Sequence, residues 1–194
     1  MIKSLYPCFQ HWSELGSVYL VSDTHFKDPD RLSMGYNFSE QDQMYILRDF
    51  CHRFDTLVHL GDVGDPEYMK YLHCHKVLIM GNHDQSVEKM EEYFDEIYIG
   101  PLWISQKLVL SHEPLTLKNW EWVEEEETCI AFNIHGHNHN NATSNSYYHL
   151  NIAQNVYGYV PLNLNEFIKH GYLKRIKDIH RITIDNAIER KDYV

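Results

Sequence analysis

Histidine, aspartate and asparagine gather at five places in this 194-residue chain, each at the end of a short apolar run. Ser22-Asp23-Thr24-His25 follows SVYLV, and Gly61-Asp62-Val63-Gly64-Asp65 follows TLVHL. Gly81-Asn82-His83-Asp84 follows KVLIM, Ser111-His112-Glu113 follows KLVL, and Gly136-His137-Asn138-His139 follows AFNIH. Carboxylate, amide and imidazole donors without thiolate suit manganese, iron or zinc better than copper(I) or calcium. At least seven such donors are present, more than the four or so that one ion needs. They suffice for two ions sharing a carboxylate, which at a spacing of roughly 3.5–4 Å form a clamp used in phosphate ester hydrolysis. Asp-x-His or Gly-Asp alone is an ordinary turn. The ordered set of five, each closing an apolar run, carries the signal.

The elements that must position these groups read as α/β. Strands are expected over 17–23, 56–62 and 76–82, with a helix over 39–53 and short helices over 66–73 and 85–92. Ser39 is the expected N-cap of the first helix, with Met44, Ile46, Leu47 and Phe50 near one face. The second half turns β-rich: EIYIG, LWISQ, KLVLSHE, TCIAFNIHG (128–136) and SYYHLNIA (146–153) read as strands, then 163–171 as a helix closed by Gly171. Two packed sheets with helices outside satisfy this pattern. In open α/β sheets ligands bind beyond the carboxyl ends of strands, so five strand ends can meet in one crevice.

The chain has the length of one domain, 1–194, with no internal repeat or linker. The tail, 173–194, suggests a last helix and strand. Four scattered cysteines, Cys8, Cys51, Cys74 and Cys129, fit free thiols in a reducing compartment. No run is long and apolar enough to cross a bilayer, and the first residues lack the apolar block of a signal peptide. A cytoplasmic protein without a membrane partner is expected. The net charge of −11 repels phosphate backbones and disfavours nucleic acid without excluding it. The acidic segment 119–127, with four consecutive glutamates, reads as a solvated loop or as a lid that repels large anions. His52, His73 and His75 read as surface or packing histidines, His59 as a core residue, and His135 as a neighbour of the site. The sequence leaves the oligomeric state open.

The ordered set resembles the calcineurin-like metallophosphoesterases, whose pattern is D-x-H, GD, GNH(D/E), a lone H and GHxH. The match covers roughly 17–165, and SDTHF at Ser22–Phe26 is similar to the small bacterial and phage-type branch. The resemblance implies a four-layer fold, two mixed sheets packed as a sandwich flanked by helices. It implies two divalent ions, manganese foremost, with iron, zinc, nickel or magnesium as alternatives. Asp23, His25 and His139 would hold the first ion, Asn82, His112 and His137 the second, and Asp62 would bridge them. His83 would stabilise the transition state and protonate the leaving oxygen, and Asp84 would orient the His83 ring. A hydroxide between the ions would attack phosphorus in line with the leaving group.

Departures from the pattern bear on substrate. The GDxxDRG arginine of the protein phosphatases is missing, and GNHD stands in place of GNHE. Both favour a phosphodiesterase or a small-molecule phosphatase, with a phosphodiester foremost. A phosphomonoester of a small molecule or nucleotide is the alternative, with a nuclease or a non-catalytic scaffold further off. Lys27-Asp28-Pro29-Asp30 replaces the His and Asn that often follow the first motif, leaving Arg31 as the candidate phosphate contact in that loop.

Overall fold

A computed structural model describes residues 11–116, 131–139 and 148–176. The acidic segment 119–127, Cys8, Cys129 and most of the tail lie outside the described residues. The first sheet holds β1 (Val18–Val21), β2 (Thr56–His59), β3 (His75–Ile79) and β4 (Glu96–Tyr98), all parallel, with β9 (Leu162–Asn163) antiparallel to β1. The second holds β5 (Leu102–Ser105), β6 (Leu108–Leu110), β7 (Phe132–His135) and β8 (His149–Asn151) in that order. β5 and β6 are antiparallel, and β6, β7 and β8 run parallel. These are the two mixed sheets that the sequence implied.

Strand alternation explains why both faces of the first sheet are covered. Val18, Leu20, Val58, Leu60, Val77 and Ile79 share a core with Ile104, Leu108, Leu110, Phe132 and Ile134 of the second sheet. Val21, Leu57 and Leu78 face the opposite way, into a core with Met44, Leu47, Met69 and Met90. Met44 and Leu47 lie on α1 (Glu40–Phe50), Met69 on a 3₁₀ turn at Pro66–Tyr71, and Met90 on α2 (Val87–Met90). Ser39 caps α1 as its type predicts, its hydroxyl accepting from the Asp42 amide at 3.1 Å. The face of α1 differs from expectation. Gln43 is buried beside Met44 and Leu47, whereas Phe50 is exposed and only edges onto Tyr19. Gln43 is drawn inward because it accepts from Arg31 at 3.2 Å.

Two elements escaped the sequence reading. α3 (Gln154–Tyr157) is a single turn closed by Gly158, and β9 is two residues long. α4 (Leu164–Lys169) follows, and Gly171 beyond it has φ 82°, the left-handed conformation expected of a glycine there. Among the described residues no helix is long and apolar enough to cross a membrane.

Candidate metal centre

The loops that leave β1 and β2 are laced together by backbone bonds. The amides of Asp23, His25 and Phe26 donate to the carbonyls of Gly61, Asp62 and Val63 at 2.9, 3.1 and 2.9 Å. The lacing bends the chain sharply. Asp23, His25 and Asp62 have φ of 54°, 43° and 57°, and His137 has φ 67°. Left-handed backbone at non-glycine residues costs energy and tends to gather at functional sites. Here four such residues meet in one crevice.

Two clusters of donor atoms result, each within a span of 4.8 Å: Asp23, His25 and His139 in one, Asp62, His112 and His137 in the other. In the first, His139 Nε2 lies 3.5 Å from Asp23 Oδ1, and the His25 and His139 ring centres are 5.0 Å apart. In the second, the Asn82 side-chain oxygen lies 2.8 Å from His112 Nε2 and 3.0 Å from His137 Nδ1. Asp62 Oδ2 stands between the clusters, 3.6 Å from His25 Nε2 and 3.4 Å from His112 Nε2. All seven residues singled out in the sequence therefore meet at one place.

The hydrogen bonds of the histidines fix which ring nitrogens face the crevice. His112 Nδ1 faces the Leu60 carbonyl at 2.9 Å, and a carbonyl only accepts, so Nδ1 carries the proton. Nε2 then faces the Asn82 and Asp62 oxygens, where either a proton or a cation can sit. His25 Nδ1 bonds the Asp28 carboxylate at 2.9 Å, while its Nε2 is buried without a hydrogen-bond partner. A buried nitrogen without a partner beside carboxylates fits a divalent ion.

A proton on His112 is favoured by the same oxygens. Burial opposes the charged form of His112, but the Asp62 carboxylate, the charge of Asp23 and the Leu60 carbonyl raise it to about 9. Burial likewise opposes the charge of Asp62, yet His112, the His83 amide and His25 hold it down at about 2. Burial dominates at Asp23 and lifts it to about 6.

Glycines admit the carboxylates to this space. A Cβ on Gly81 would stand 2.3 Å from Asp62 Oδ1, and one on Gly136 would stand 2.0 Å from Asp23 Oδ2. The glycines of GNHD and GHNH are thus a matter of room more than of backbone freedom. His59, read as a core residue, ties the loops from beneath. Its Nδ1 accepts from the Gly61 amide at 3.1 Å and its Nε2 donates to Thr24 Oγ1 at 2.9 Å. Burial pushes it down to about 3, so it stays neutral.

Two expectations are corrected. Asp84 does not take its place through the His83 ring. Its Oδ2 accepts from the amides of Gly81 and Asp62 at 2.8 and 3.1 Å, and its Oδ1 from Val63 at 2.8 Å. Buried backbone donors outcompete a ring nitrogen that is exposed at the mouth. Arg31 turns inward, toward the backbone. It is buried, stacked 4.4 Å over Tyr36, and donates to the carbonyls of Thr24, His25 and Phe38. The guanidinium is drawn in because the bent loop leaves those carbonyls without strand partners. His135 Nδ1 lies 2.8 Å from the Gly136 carbonyl, at the start of the GHNH loop.

Three supporting residues escaped notice. Asp28 holds His25, and Asn155 Oδ1 lies 3.1 Å from His139 Nδ1. The Tyr36 hydroxyl donates to the Asp23 carbonyl, and its ring lies 6.0 and 5.8 Å from the His25 and His139 rings. Only Asp28, three residues after His25, left a legible signal. His83 lies exposed at the opening, its ring centre 5.8 Å from that of His25 and its amide donating to Asp62 Oδ1 at 2.9 Å.

Known proteins bear on this geometry. A protein of unknown function from Aquifex aeolicus, AQ665, is 28% identical with a TM-score of 0.61, covering 79% of this chain and 98% of its own. The nuclease MPE of Pseudomonas putida is 19% identical with a TM-score of 0.39, covering 62% of this chain and 59% of its own. No match is found among curated proteins. The model of the calcineurin-like phosphoesterase superfamily domain matches residues 17–153, a span that contains both donor clusters. The chain therefore belongs to the calcineurin-like phosphoesterase superfamily, whose chemistry is metal-dependent hydrolysis of phosphoesters.

Proposed function

We propose that this protein hydrolyses a phosphodiester at a two-cation centre, with Asp23, His25 and His139 holding one ion, Asn82, His112 and His137 the other, and Asp62 shared. The observation that carries the reading is the place of Asp62 Oδ2, 3.6 Å from a histidine of one cluster and 3.4 Å from a histidine of the other. Divalent ions bound there, manganese first among them, would neutralise phosphate oxygens and acidify water near neutral pH. The chain's own residues do the rest. Asp28 and the Leu60 carbonyl fix the ring protons of His25 and His112 on Nδ1, leaving each Nε2 lone pair turned inward. Asp84 binds the loop after β2 to the loop after β3 through three amides, which keeps Asp62 and Asn82 in register. His83, at the mouth, donates its ring proton to the leaving oxygen, an acid role worth roughly 10²–10⁴-fold.

Charge favours a diester. Phosphodiesters carry one negative charge and monoesters close to two at neutral pH. The two cations that follow the first motif are both engaged, Lys27 with Asp65 at 2.6 Å and Arg31 inside the loop. Neither is free to grip a dianion. A small, nucleotide-like diester is the proposed substrate class, in a cytoplasmic setting. Rates on bis(p-nitrophenyl) phosphate and p-nitrophenyl phosphate, with manganese added to metal-stripped protein, test this. The diester should be preferred and chelator should abolish turnover. A preference for the monoester would overturn the substrate class, and a rate indifferent to chelator would overturn the centre.

A further inference from the structure

At the opposite end of β3 a separate donor cluster joins three parts of the chain. His11 precedes Trp12 near the start of the described residues, His75 opens β3 and Glu96 opens β4. One donor atom from each lies within 4.8 Å of the other two. Asn82 is seven residues along from His75, so the two sites stand roughly 20 Å apart at about 3.3 Å per residue.

The carboxylate of this cluster is held in advance. Glu96 Oε1 accepts from Trp12 Nε1 at 3.1 Å and Oε2 from the Tyr98 hydroxyl at 2.7 Å. His75 Nε2 lies 2.6 Å from Glu96 Oε1, and on the far side of its ring Nδ1 lies 3.6 Å from Asp95 Oδ2. A carboxylate behind a histidine whose other nitrogen faces a second carboxylate is the outer-shell arrangement of many metal-binding imidazoles. The His11 ring meets His75 edge-on at 5.9 Å and is exposed, so its side chain is free to adjust. Ligand bonds of about 2.0–2.2 Å to a tetrahedral ion place donor atoms roughly 3.3 Å apart. His75 Nε2 and Glu96 Oε1 stand 2.6 Å apart, and the third donor lies within 4.8 Å of both, so small side-chain adjustments reach that value.

We propose that His11, His75 and Glu96 form a third cation site, distinct from the catalytic pair, that takes a zinc-class ion and fastens the N-terminal segment to the amino ends of β3 and β4. Two imidazoles and one carboxylate without sulfur select zinc, nickel or cobalt over magnesium or calcium. Water completes the tetrahedron. His75, which reads as a packing residue in the sequence, becomes a ligand because β-sheet register sets it beside the Asp95–Glu96 corner.

The test is calorimetric titration of metal-stripped, full-length protein with zinc chloride, alongside His11→Ala. His11 is exposed, so the variant keeps its fold, and unchanged turnover of bis(p-nitrophenyl) phosphate after manganese loading checks that. The wild type should bind one equivalent of zinc more than the variant, and zinc should raise its Tm further. Equal stoichiometry would overturn the site. A Tm shift no larger than the variant's would overturn the fastening. Because the readout is a difference between two proteins with the same catalytic residues, it stands apart from the fate of the catalytic reading.

Discussion

Replacing Gly136 with alanine probes the centre with a single methyl group. Its Cβ would stand 1.9 Å from Ser22 Oγ and 2.0 Å from Asp23 Oδ2, where real Cβ contacts stay beyond 3.0 Å. Relief therefore needs a movement of about 1 Å by one side or the other (3.0 less 2.0). Neither side yields readily. The Gly136 amide donates to the His112 carbonyl at 2.9 Å, and the next amide, of His137, donates to both Asp23 oxygens at 3.1 and 3.0 Å. Metal ligands tolerate about 0.2 Å of error, so a displacement near 1 Å removes Asp23 as a donor. Misplacement on that scale costs on the order of 10²-fold in rate. Overpacking should cost about 1–3 kcal/mol of stability, a Tm loss of roughly 2–4 °C for each kcal/mol. Gly171→Ala is the control: its φ of 82° makes alanine cost about 1–2 kcal/mol, but the nearest atom is a flexible Lys174 carbon at 3.2 Å. Both variants should lose similar stability, and only Gly136→Ala should lose metal and kcat/KM. Full metal content in Gly136→Ala with kcat/KM within about threefold of wild type would refute the assignment of Asp23.

Four further outcomes are expected. Asp62→Ala should lose metal and activity together, whereas His83→Ala should keep its metal and lose roughly 10²–10⁴-fold in kcat; metal analysis beside single-substrate kinetics separates the two. Arg31→Ala should lower Tm by the equivalent of at least about 2 kcal/mol, because it strips buried carbonyls of a charged donor, and should leave KM nearly unchanged in the folded fraction. His112 sets a pH dependence: its folded value of about 9 lies above the unfolded 6.5, so it stabilises metal-free protein below pH 6.5 by about 3 kcal/mol. That stability is lost as pH rises through 9, and melting in chelator from pH 6 to 10 reads it. Since metal binding must expel that proton, apparent metal affinity should rise about tenfold per pH unit from 7 to 9, and a flat profile would contradict the shared centre.

The seven clustered donors were legible because metal chemistry restricts residue type, and each follows an apolar run that only a strand explains. Of the supports only Asp28 was, by its spacing from His25. Asn155 and Tyr36 each reach the site through a single hydrogen bond, and such residues are ordinary in any loop. Asp84 and Arg31 misled for the opposite reason. Their types suggest chemistry, but the backbone groups of a sharply bent loop had the stronger need for them. The end of α1 was misread because periodicity marks Phe50 as apolar, while Gln43 gains more by reaching Arg31 inside. β9 and α3 were too short to leave a period. The elements visible in the sequence are those whose burial sets their composition, and the hidden ones are fixed by partners far away in the chain.

The same division says what holds the bent loops. Four left-handed residues at the site, at roughly 1–3 kcal/mol each, set several kcal/mol against the fold. Three backbone amides donate to the Asp84 carboxylate and counter part of that cost, net of the burial that lifts its pKa above the usual carboxylate range. The Arg31 guanidinium does the same for the carbonyls of the first loop. Both groups act on backbone, and neither needs a bound ion to do so. The bent loops are therefore shaped before metal arrives, and the free energy of metal binding need not be spent on ordering them. It goes instead into replacing the His112 proton and into relieving Asp23, the one carboxylate that burial leaves near pH 6. Asp84→Asn, which keeps shape but weakens the acceptor, should consequently lower the Tm of metal-free protein more than that of loaded protein, because bound ions then hold Asp62 in its stead. Equal losses in the two forms would mean that the loops are ordered by metal and that the hydrogen bonds are secondary.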